Sequence, residues 1–276
     1  MANGDKQQQS HLIEEVCDSD GILRLTLNDP ATRNSLSEAM LAALSDRLAA
    51  ARDNPQVRVI VLAANGSVFC AGHNLKEMTA ARTDPANAAD RGRAYFSRVL
   101  KSCSAVMQLI PAHPKPVIAE VAGTATAAGC QLVASCDLAI AADTAQFATP
   151  GVNIGLFCST PMVALSRNVA AKYAMEMLLT GDMCPAPKAV EIGLLNRCVA
   201  PAALTDEVMS LARKIAGKSS ATVAFGKPTF YHQAEMTLAE AYDFAAEIMV
   251  NNMLANDAEE GINAFIEKRP AQWKDK

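Results

Sequence analysis

Short apolar runs recur through the first part of the chain and predict buried β-strands. The runs lie at residues 13–16, 22–27, 57–62, 117–121 and 138–141. The first two flank Asp18-Ser19-Asp20-Gly21, a sequence typical of a hairpin with glycine in its tight turn. The third run is rich in β-branched residues, as expected for a strand that is covered on both faces.

Helical periodicity fills the intervals between these runs. Ser37 is placed to cap a helix with an apolar stripe over residues 41–48. A long helix is predicted at residues 84–109, and a short Gly/Ala-rich helix at residues 126–134. Because strands alternate with helices, we expect right-handed crossovers and a parallel sheet, so the predicted fold class is α/β.

The pattern becomes almost wholly helical after Pro161. Two long helical patterns cover residues 222–252 and 257–268. We therefore predict a disordered tail at residues 1–10, a core domain at 11–200 and a C-terminal helical region at 201–276. A lone helical arm buries little apolar surface by itself, so we expect this region to pack against neighbouring subunits.

The bulk composition favours a globular protein that does not bind nucleic acid. Half of the 276 residues are hydrophobic and 20% are charged, so a large core can form. The net charge is −4, and no basic cluster interleaved with aromatic residues is present, which argues against nucleic acid as a partner. An anionic ligand would need a local basic patch on this acidic protein.

The cysteines and the N-terminal residues suggest a reducing compartment. None of the eight cysteines forms a Cys-x-x-Cys pair, and buried thiols in a reducing cytosol fit this pattern. No histidine has zinc-ligand spacing to a cysteine pair, so no metal is expected. The first residues lack the features of a signal or transit peptide, and no apolar stretch is long enough to span a bilayer. We expect a cytoplasmic protein that does not bind membranes.

Several short motifs occur in an order that resembles one enzyme family. They are RNSL at residues 33–36, AGHNL at 71–75, TAAGCQL at 126–132, CD at 136–137, LTG at 179–181 and EGINAF at 260–265. Over nearly its whole length the chain resembles the crotonase (enoyl-CoA hydratase/isomerase) superfamily, in particular its enoyl-CoA hydratase domain-containing branch. The resemblance implies a ClpP/crotonase-like fold of ββα repeats with a C-terminal helical trimerisation region.

The resemblance also implies an oxyanion site for an acyl-CoA thioester. Negative charge develops on the thioester oxygen during reaction, and two backbone N–H groups aimed at it stabilise that charge. The family's two donors fall on His73 and Ala128. Small residues at 123–130 permit close approach of a ligand, and a helix N-terminus adds a favourable dipole. Those small residues would equally allow close helix–sheet packing, and the His73 side chain is either an acid–base group or irrelevant beside its backbone.

The two catalytic glutamates that the resemblance implies are replaced in this chain. Gln131 and Gly151 stand at their positions. Hydration needs one group to activate water and another to protonate carbon, and a neutral amide does neither. Asn153 could orient a water instead. Other candidates, each with a purely structural alternative, are Glu77, Glu120 and Cys158.

Contacts to CoA are implied by the same resemblance. The candidates are Arg33, Ala71, His73, Asn74, Leu75, Lys76, Phe265 and Lys268. Phe265 and Lys268 would come from a neighbouring subunit of a homotrimer or dimer of trimers, although Lys268 is equally explained as an exposed cation at a helix end. No cofactor is expected beyond the CoA thioester itself.

Three functions are compatible with these residues. The first is an active enoyl-CoA hydratase, lyase or isomerase of fatty acid metabolism that uses other acid–base groups, such as Asn153 with His73 or Glu77. The second is a catalytically silent protein that binds acyl-CoA. The third is a scaffold whose pocket is filled by apolar side chains, for which Phe157 and Met162 are candidates.

Overall fold

Two β-sheets organise the chain, and the computed structural model describes residues 11–275 of it. The predicted tail at residues 1–10 lies outside the described residues. The strands are β1 (Ile13–Cys17), β2 (Ile22–Leu27), β3 (Val59–Ala64), β4 (Val68–Cys70), β5 (Val117–Val121), β6 (Thr124–Thr126), β7 (Leu138–Ala142), β8 (Gln146–Ala148), β9 (Cys184–Pro185) and β10 (Arg197–Val199).

The chain winds through these sheets in units of a long strand, a short strand and helical structure. The larger sheet has the order β1-β2-β3-β5-β7-β10, and the smaller has the order β4-β6-β8-β9. Only the β1–β2 and β8–β9 pairs are antiparallel among the described strands. After the β1–β2 hairpin, which lies wholly in the larger sheet, each successive pair of strands adds one strand to each sheet. This arrangement confirms the predicted α/β fold of ββα repeats.

The helices lie between these strand pairs and then continue alone to the C-terminus. They are α1 (Glu38–Asp53), α2 (Leu75–Thr83), α3 (Arg93–Leu109), α4 (Ala128–Ser135), α5 (Pro161–Asn168), α6 (Ala171–Thr180), α7 (Ala186–Glu191), α8 (Leu204–Ala216), α9 (Ser220–Gln233), α10 (Leu238–Met253) and α11 (Asn256–Glu267). Within residues 11–275, no helix combines the length and the hydropathy needed to cross a membrane.

The larger sheet is buried on both faces, which explains its continuous apolar strands. Along β3, Ile60 and Leu62 face the main core, whereas Val59 and Val61 face a second cluster. That second cluster is completed by α8, whose Leu204 and Val208 are buried against the sheet. Helix α8, the first α-helix after residue 200, therefore covers the larger sheet. The domain boundary predicted at residue 200 stays a prediction.

Three sequence-based boundaries were wrong for local reasons. The long helix predicted from residue 84 begins at Arg93, because Arg91 and Gly92 adopt positive φ and Asp90 accepts hydrogen bonds from the Gly92 and Ala94 N–H groups. Residue 126 ends strand β6 rather than starting a helix. The pattern at 222–252 is two helices, separated where Thr237 and Glu240 form a capping box.

Helix α4 lies directly on strand β4, and a glycine makes this possible. A Cβ atom on Gly129 would overlap the Cys70 carbonyl oxygen and lie 2.7 Å from the Cys70 carbonyl carbon. Both atoms belong to backbone, so neither can rotate away. The short distance between α4 and β4 therefore depends on the absence of a side chain at residue 129.

Replacing Gly129 with alanine should destabilise the fold by at least ~2 kcal/mol, since overpacking against fixed backbone forces the helix away from the strand. Gly226→Ala is the matched control, because Gly226 lies inside α9 with open space at the Cβ position. The control should stabilise by about 0.5–1 kcal/mol. Urea unfolding followed by far-UV circular dichroism measures both, and equal stabilities for the two variants would contradict the packing argument.

A largely buried ion pair holds α9 against the core. The Lys227 ammonium lies 2.8 Å from the Asp137 carboxylate and also donates to the Ile110 and Lys115 carbonyl oxygens. Asp137 further accepts hydrogen bonds from the Tyr231 hydroxyl and from a backbone N–H of β5. Burial raises the pKa of Asp137 and lowers that of Lys227, in both cases against the attraction between them.

Lys227→Met should destabilise the protein by ~3 kcal/mol, because it leaves the buried Asp137 carboxylate without its cation. Adding Asp137→Asn should recover part of the loss, since it removes the uncompensated charge. Lys188→Met, which breaks an exposed pair with Glu191, should have a much smaller effect. Denaturant midpoints of the wild type and the three variants test this prediction. A Lys227→Met variant as stable as the wild type would refute the stabilising role of the ion pair.

Candidate functional site

Two loops from different ββα units meet at the N-terminus of α4. Gly72 has a φ of +91°, and a Cβ atom there would lie 2.9 Å from the Ala127 Cβ and 3.1 Å from the Ala128 backbone nitrogen. This proximity brings the AGHNL segment beside the TAAGCQL segment, as the sequence resemblance implied. A residue other than glycine at position 72 would separate them.

Backbone hydrogen bonds join the AGHNL loop to the RNSL segment. The Ala71 N–H donates to the Arg33 carbonyl oxygen at 3.1 Å, and the Leu36 N–H donates to the Gly72 carbonyl oxygen at 2.8 Å. From the other side, the Thr126 hydroxyl donates to the Ala71 carbonyl oxygen at 3.2 Å. These bonds fix the direction of the backbone between residues 71 and 73.

The α4 N-terminus begins with a strained residue. Ala127 has φ 50° and ψ −119°, a conformation that costs a residue with a Cβ atom about 1–3 kcal/mol. Its N–H donates to the Ala148 carbonyl oxygen at 2.9 Å, which ties the turn to β8. This conformation leaves Ala128 as the first residue of the helix, where an N–H has no partner within the helix.

The backbone N–H groups of His73 and Ala128 are therefore two hydrogen-bond donors that lie at the contact between the two loops. In the described part of the chain, neither has a backbone or side-chain acceptor, although Ala128 is fully buried. Two unpaired donors on neighbouring loops, one at a helix N-terminus, form an arrangement that can bind an oxygen atom carrying negative charge.

Gln131 lies one helical turn beyond this pair. Its side chain is 4% exposed, and its Oε1 atom is buried without a hydrogen-bond partner among the described residues. The Gln131 backbone N–H donates to the Ala127 carbonyl oxygen at 3.0 Å, so residue 131 belongs to the first turn of α4. The structure thus places Gln131 in the first turn of α4, beside the His73 and Ala128 N–H groups, and its role stays a prediction.

Gly151 lies where a side chain has no room. A Cβ atom there would be 2.7 Å from the Leu156 carbonyl oxygen and 2.9 Å from the Cys158 sulfur. Burial raises the pKa of the Cys158 thiol, with the Gly151 N–H opposing that effect. The loop at residues 155–158 thus occupies the space into which a longer side chain at residue 151 would project.

His73 and Thr149 add two further polar side chains. The His73 Nε2 and Thr149 Oγ1 atoms are buried and have no partner among the described residues. Burial lowers the pKa of His73, so its imidazole is neutral at pH 7. Thr149 directly follows Ala148, which is bonded to the Ala127 turn. Both residues adjoin the backbone contact that defines the site.

Other sequence candidates have structural partners instead. Glu120 accepts two hydrogen bonds from the Arg24 guanidinium and one from the Thr205 hydroxyl. Glu77 accepts hydrogen bonds from the Tyr95 hydroxyl and from the Glu38 backbone N–H at the start of α1. These contacts favour the structural role for both carboxylates.

Asn153 and the two apolar candidates are exposed. The Asn153 Nδ2 atom lies 3.0 Å from the Cβ position of Gly181, at the end of α6, so this side chain is directed toward α6. Phe157 is 43% exposed and Met162 is 37% exposed. These two side chains therefore do not fill a pocket within the chain, contrary to the third hypothesis.

The candidates for CoA contacts fall into two groups. Arg33, Leu75 and Lys76 are exposed beside the AGHNL loop, and Asn74 caps α2 by accepting hydrogen bonds from the Lys76 and Glu77 N–H groups. Phe265 lies on α11, which packs against α9 and α10, and Lys268 is the left-handed residue that caps the C-terminus of that helix. Phe265 is 85% exposed, so it is available to another molecule.

Two residues of the site region have roles that the sequence did not reveal. Asn34 is fully buried and donates to the Asn65 and Val68 carbonyl oxygens, while it accepts from the Asp29 N–H. Ser35 has a buried hydroxyl without a partner among the described residues. Their presence in the RNSL motif was the only available signal.

Comparisons with known proteins agree over almost the whole chain. The family model described as "Enoyl-CoA hydratase/isomerase" matches residues 18–276. Enoyl-CoA hydratase domain-containing protein 3, mitochondrial, of Rattus norvegicus is 48% identical over 254 residues, which cover 92% of this chain and 82% of that protein. The match thus covers most of both proteins.

Solved structures give the same result. The crystal structure of enoyl-CoA hydratase from Mycobacterium smegmatis has a TM-score of 0.90 and 50% identity, covering 95% of this chain and 98% of that one. Human enoyl coenzyme A hydratase domain-containing protein 3 has a TM-score of 0.89 and 47% identity, covering 95% and 100%.

These names correct one expectation. The predicted cytoplasmic location is wrong by this comparison, because the rat, mouse and human relatives at 48% identity are named as mitochondrial proteins. The prediction rested on thiol burial and on the composition of the first residues. Buried thiols report that the cysteines are packed in the core, and they do not distinguish one reducing compartment from another.

Motif order, the meeting of the two loops and the agreement over nearly the full length lead to one conclusion. The chain belongs to the enoyl-CoA hydratase/isomerase family and has the crotonase fold.

Proposed function

We propose that this protein binds an acyl-CoA thioester whose carbonyl oxygen accepts hydrogen bonds from the His73 and Ala128 N–H groups. The observation that carries the proposal is the pair of unpartnered donors at the contact between Gly72 and Ala127. The helix N-terminus at Ala128 favours negative charge on that oxygen. Membership of the enoyl-CoA hydratase/isomerase family supports the choice of thioester.

Standard hydration of an enoyl thioester should be slow in this protein. By resemblance, the family's glutamates correspond to Gln131 and Gly151, and each positioned acid–base group typically contributes ~10²–10⁴-fold to rate. The Gln131 amide transfers no proton at neutral pH. The backbone at Leu156 and the Cys158 sulfur exclude a side chain at residue 151, which favours the catalytically silent alternative over hydratase, lyase or isomerase chemistry.

The CoA moiety would lie along the AGHNL loop. Arg33 and Lys76 supply exposed cations there for its phosphates, and the resemblance adds Phe265 and Lys268 from a neighbouring subunit. An assembly would also cover the apolar C-terminal helices. Their most exposed apolar side chains are Phe230 (66%), Leu238 (76%), Tyr242 (71%), Leu254 (79%), Phe265 (85%) and Ile266 (70%). We infer a homotrimer or a dimer of trimers, since exposed apolar surface of this kind marks an interaction site.

The wild-type protein should bind acetoacetyl-CoA about tenfold more tightly than free CoA, because two hydrogen bonds to the thioester oxygen contribute about 0.5–1.5 kcal/mol each. Isothermal titration calorimetry measures both affinities. Equal affinities for the two ligands would refute the oxyanion site.

Crotonyl-CoA hydration, followed by loss of enoyl absorbance, tests the chemistry. We expect slow turnover by the wild type and a gain of up to ~10²-fold for Gln131→Glu, which restores one proton-transfer group. Gln108→Glu makes the same chemical change at an exposed position of α3 and should leave the rate unaltered. If the wild type hydrates crotonyl-CoA at a rate ordinary for hydratases, and Gln131→Leu has the same rate, then other groups catalyse hydration.

Sedimentation velocity tests the assembly. The 29.2 kDa chain should sediment as a trimer or hexamer, and Leu254→Asp/Phe265→Asp should shift it toward the monomer by placing charge in the apolar contact. Val16→Asp, at an exposed position of β1, should not. A wild-type monomer at micromolar concentration would exclude the proposed assembly.

A further inference from the structure

A cavity with a basic lining lies at the end of the larger sheet that is far from the candidate site. Its volume is about 280 Å³, and its charged lining residues are Arg52, Arg58, Lys115, Lys218 and Asp275. Arg58 directly precedes β3 and Lys115 precedes β5, whereas the loops of the candidate site come after these strands. Strands of five or six residues separate the two places by about 15–20 Å, so the cavity is a separate location.

The charges around this cavity are not balanced. Four cations and one carboxylate line it, although the whole protein has a net charge of −4. Arg52 and Lys115 donate hydrogen bonds to backbone carbonyl oxygens, which carry no formal charge. Like charges held close together beside a low-dielectric wall repel each other and attract anions. The cavity therefore has the electrostatic character of an anion site.

The Arg58 guanidinium is held in one orientation and binds an oxyanion with two of its nitrogens. It donates to the Ala216 and Lys218 carbonyl oxygens, each at 2.7 Å. Its Nη1 and Nη2 atoms also donate to the two carboxylate oxygens of Asp275, at 2.6 Å and 3.2 Å. The Ser220 N–H, in the first turn of α9, donates to the same carboxylate at 2.7 Å. These donors suit phosphate as well as carboxylate.

The carboxylate that now occupies these donors belongs to a segment that can exchange with an external anion. The Asp275 side chain is 34% exposed, and its backbone has a φ of 57°, in the left-handed region that residues with a Cβ atom disfavour. Apart from its carboxylate, Asp275 is held by its N–H, which donates to the Asp257 carboxylate at 2.9 Å. Its side chain can therefore leave Arg58 without breaking the core.

We propose that this cavity binds a phosphate group, and that Asp275 occupies the phosphate position when the ligand is absent. The phosphate replaces the Asp275 carboxylate on Arg58 and on the Ser220 N–H, and Lys218 adds a further cation. A phosphate carries close to two negative charges at neutral pH, and the surplus of cations favours it over a single carboxylate. Inorganic phosphate and a phosphate ester share this chemistry. The proposal is independent of the acyl-CoA site.

The single tryptophan of the chain provides a direct readout. Trp273 lies two residues before Asp275, and its indole N–H donates to the Gly217 carbonyl oxygen at 3.0 Å. Displacement of Asp275 should loosen this contact and expose the indole to water. Titration of the full-length protein with inorganic phosphate should therefore shift the Trp273 emission to longer wavelength and reach saturation. Sodium chloride at the same ionic strength should not, and calorimetry gives the Kd.

Variants of the charged residues assign the binding to this cavity. Asp275→Asn should bind phosphate about tenfold more tightly, since no tethered carboxylate competes for Arg58, and its emission without phosphate should resemble that of the saturated wild type. Asp243→Asn makes the same change at an exposed position of α10 and should keep the wild-type Kd. Arg58→Met should abolish binding. Lys218→Met, at an exposed position, should weaken it about threefold and serves if Arg58→Met fails to fold.

Two results would overturn the proposal. If neither the wild type nor Asp275→Asn binds phosphate or phenyl phosphate, the Arg58–Asp275 pair is a structural tether. If phosphate binds with the same Kd to the wild type and to the Arg58→Met and Lys218→Met variants, it binds elsewhere.

Phenyl phosphate distinguishes the two sources of the group. A Kd at least tenfold lower than that of inorganic phosphate would support a phosphate ester whose apolar body contacts Ile215 and Val223, which also line the cavity. Equal Kd values would support free phosphate as the ligand.

Discussion

The close contact between helix α4 and strand β4 is the constraint on which the rest of the structure depends. Gly129 allows the helix to lie against the Cys70 carbonyl group, and Gly72 allows the next loop to pass beside Ala127 and Ala128. If either distance increased, the two unpaired N–H groups would no longer belong to one site. The site is thus a consequence of backbone packing, and side chains contribute mainly by their absence.

This geometry stores unfavourable free energy that the core must offset. Ala127 has a positive φ with a Cβ atom, and two N–H groups and several side-chain atoms lack partners among the described residues. The hydrogen bond from the Ala127 N–H to the Ala148 carbonyl oxygen ties the strained turn to β8 of the smaller sheet. Strain and unpaired polar groups near a rigid sheet are the expected properties of a binding site.

The electrostatic character of the site differs from that of a two-carboxylate acid–base centre. Its polar side chains are an amide, a hydroxyl and a neutral imidazole, while the carboxylates of Glu77 and Glu120 are bonded to structural partners. The ion pair that packs α9 against the core, the largely buried Lys227–Asp137 pair, lies outside the site. An amide, a hydroxyl and a neutral imidazole include no carboxylate to serve as the acid–base pair that hydration needs.

Local patterns in the sequence were sufficient for most of the fold. The hairpin at Gly21, the Ser37 cap and the β5 strand follow from turn chemistry, capping and apolar runs, and all three occur in the structure. The start of α3 and the break between α9 and α10 were missed, because competing caps at Asp90 and Thr237 are short-range signals that a long apolar pattern obscures. The short strands β6 and β10 are stabilised by pairing with distant partners, which no local pattern reports.

The same division between what local sequence patterns report and what the tertiary structure decides applies at the candidate site. By itself the sequence identified the segments that meet there, because their small residues and motif order are visible in one dimension. Only the tertiary structure decided what each residue does: Glu120 bonds Arg24, Cys158 takes the space beside Gly151, and the Thr149 hydroxyl has no partner among the described residues. The reason is physical, since hydrogen-bond pairing and steric exclusion depend on atoms brought together from distant parts of the chain, and these distances do not exist before the chain folds.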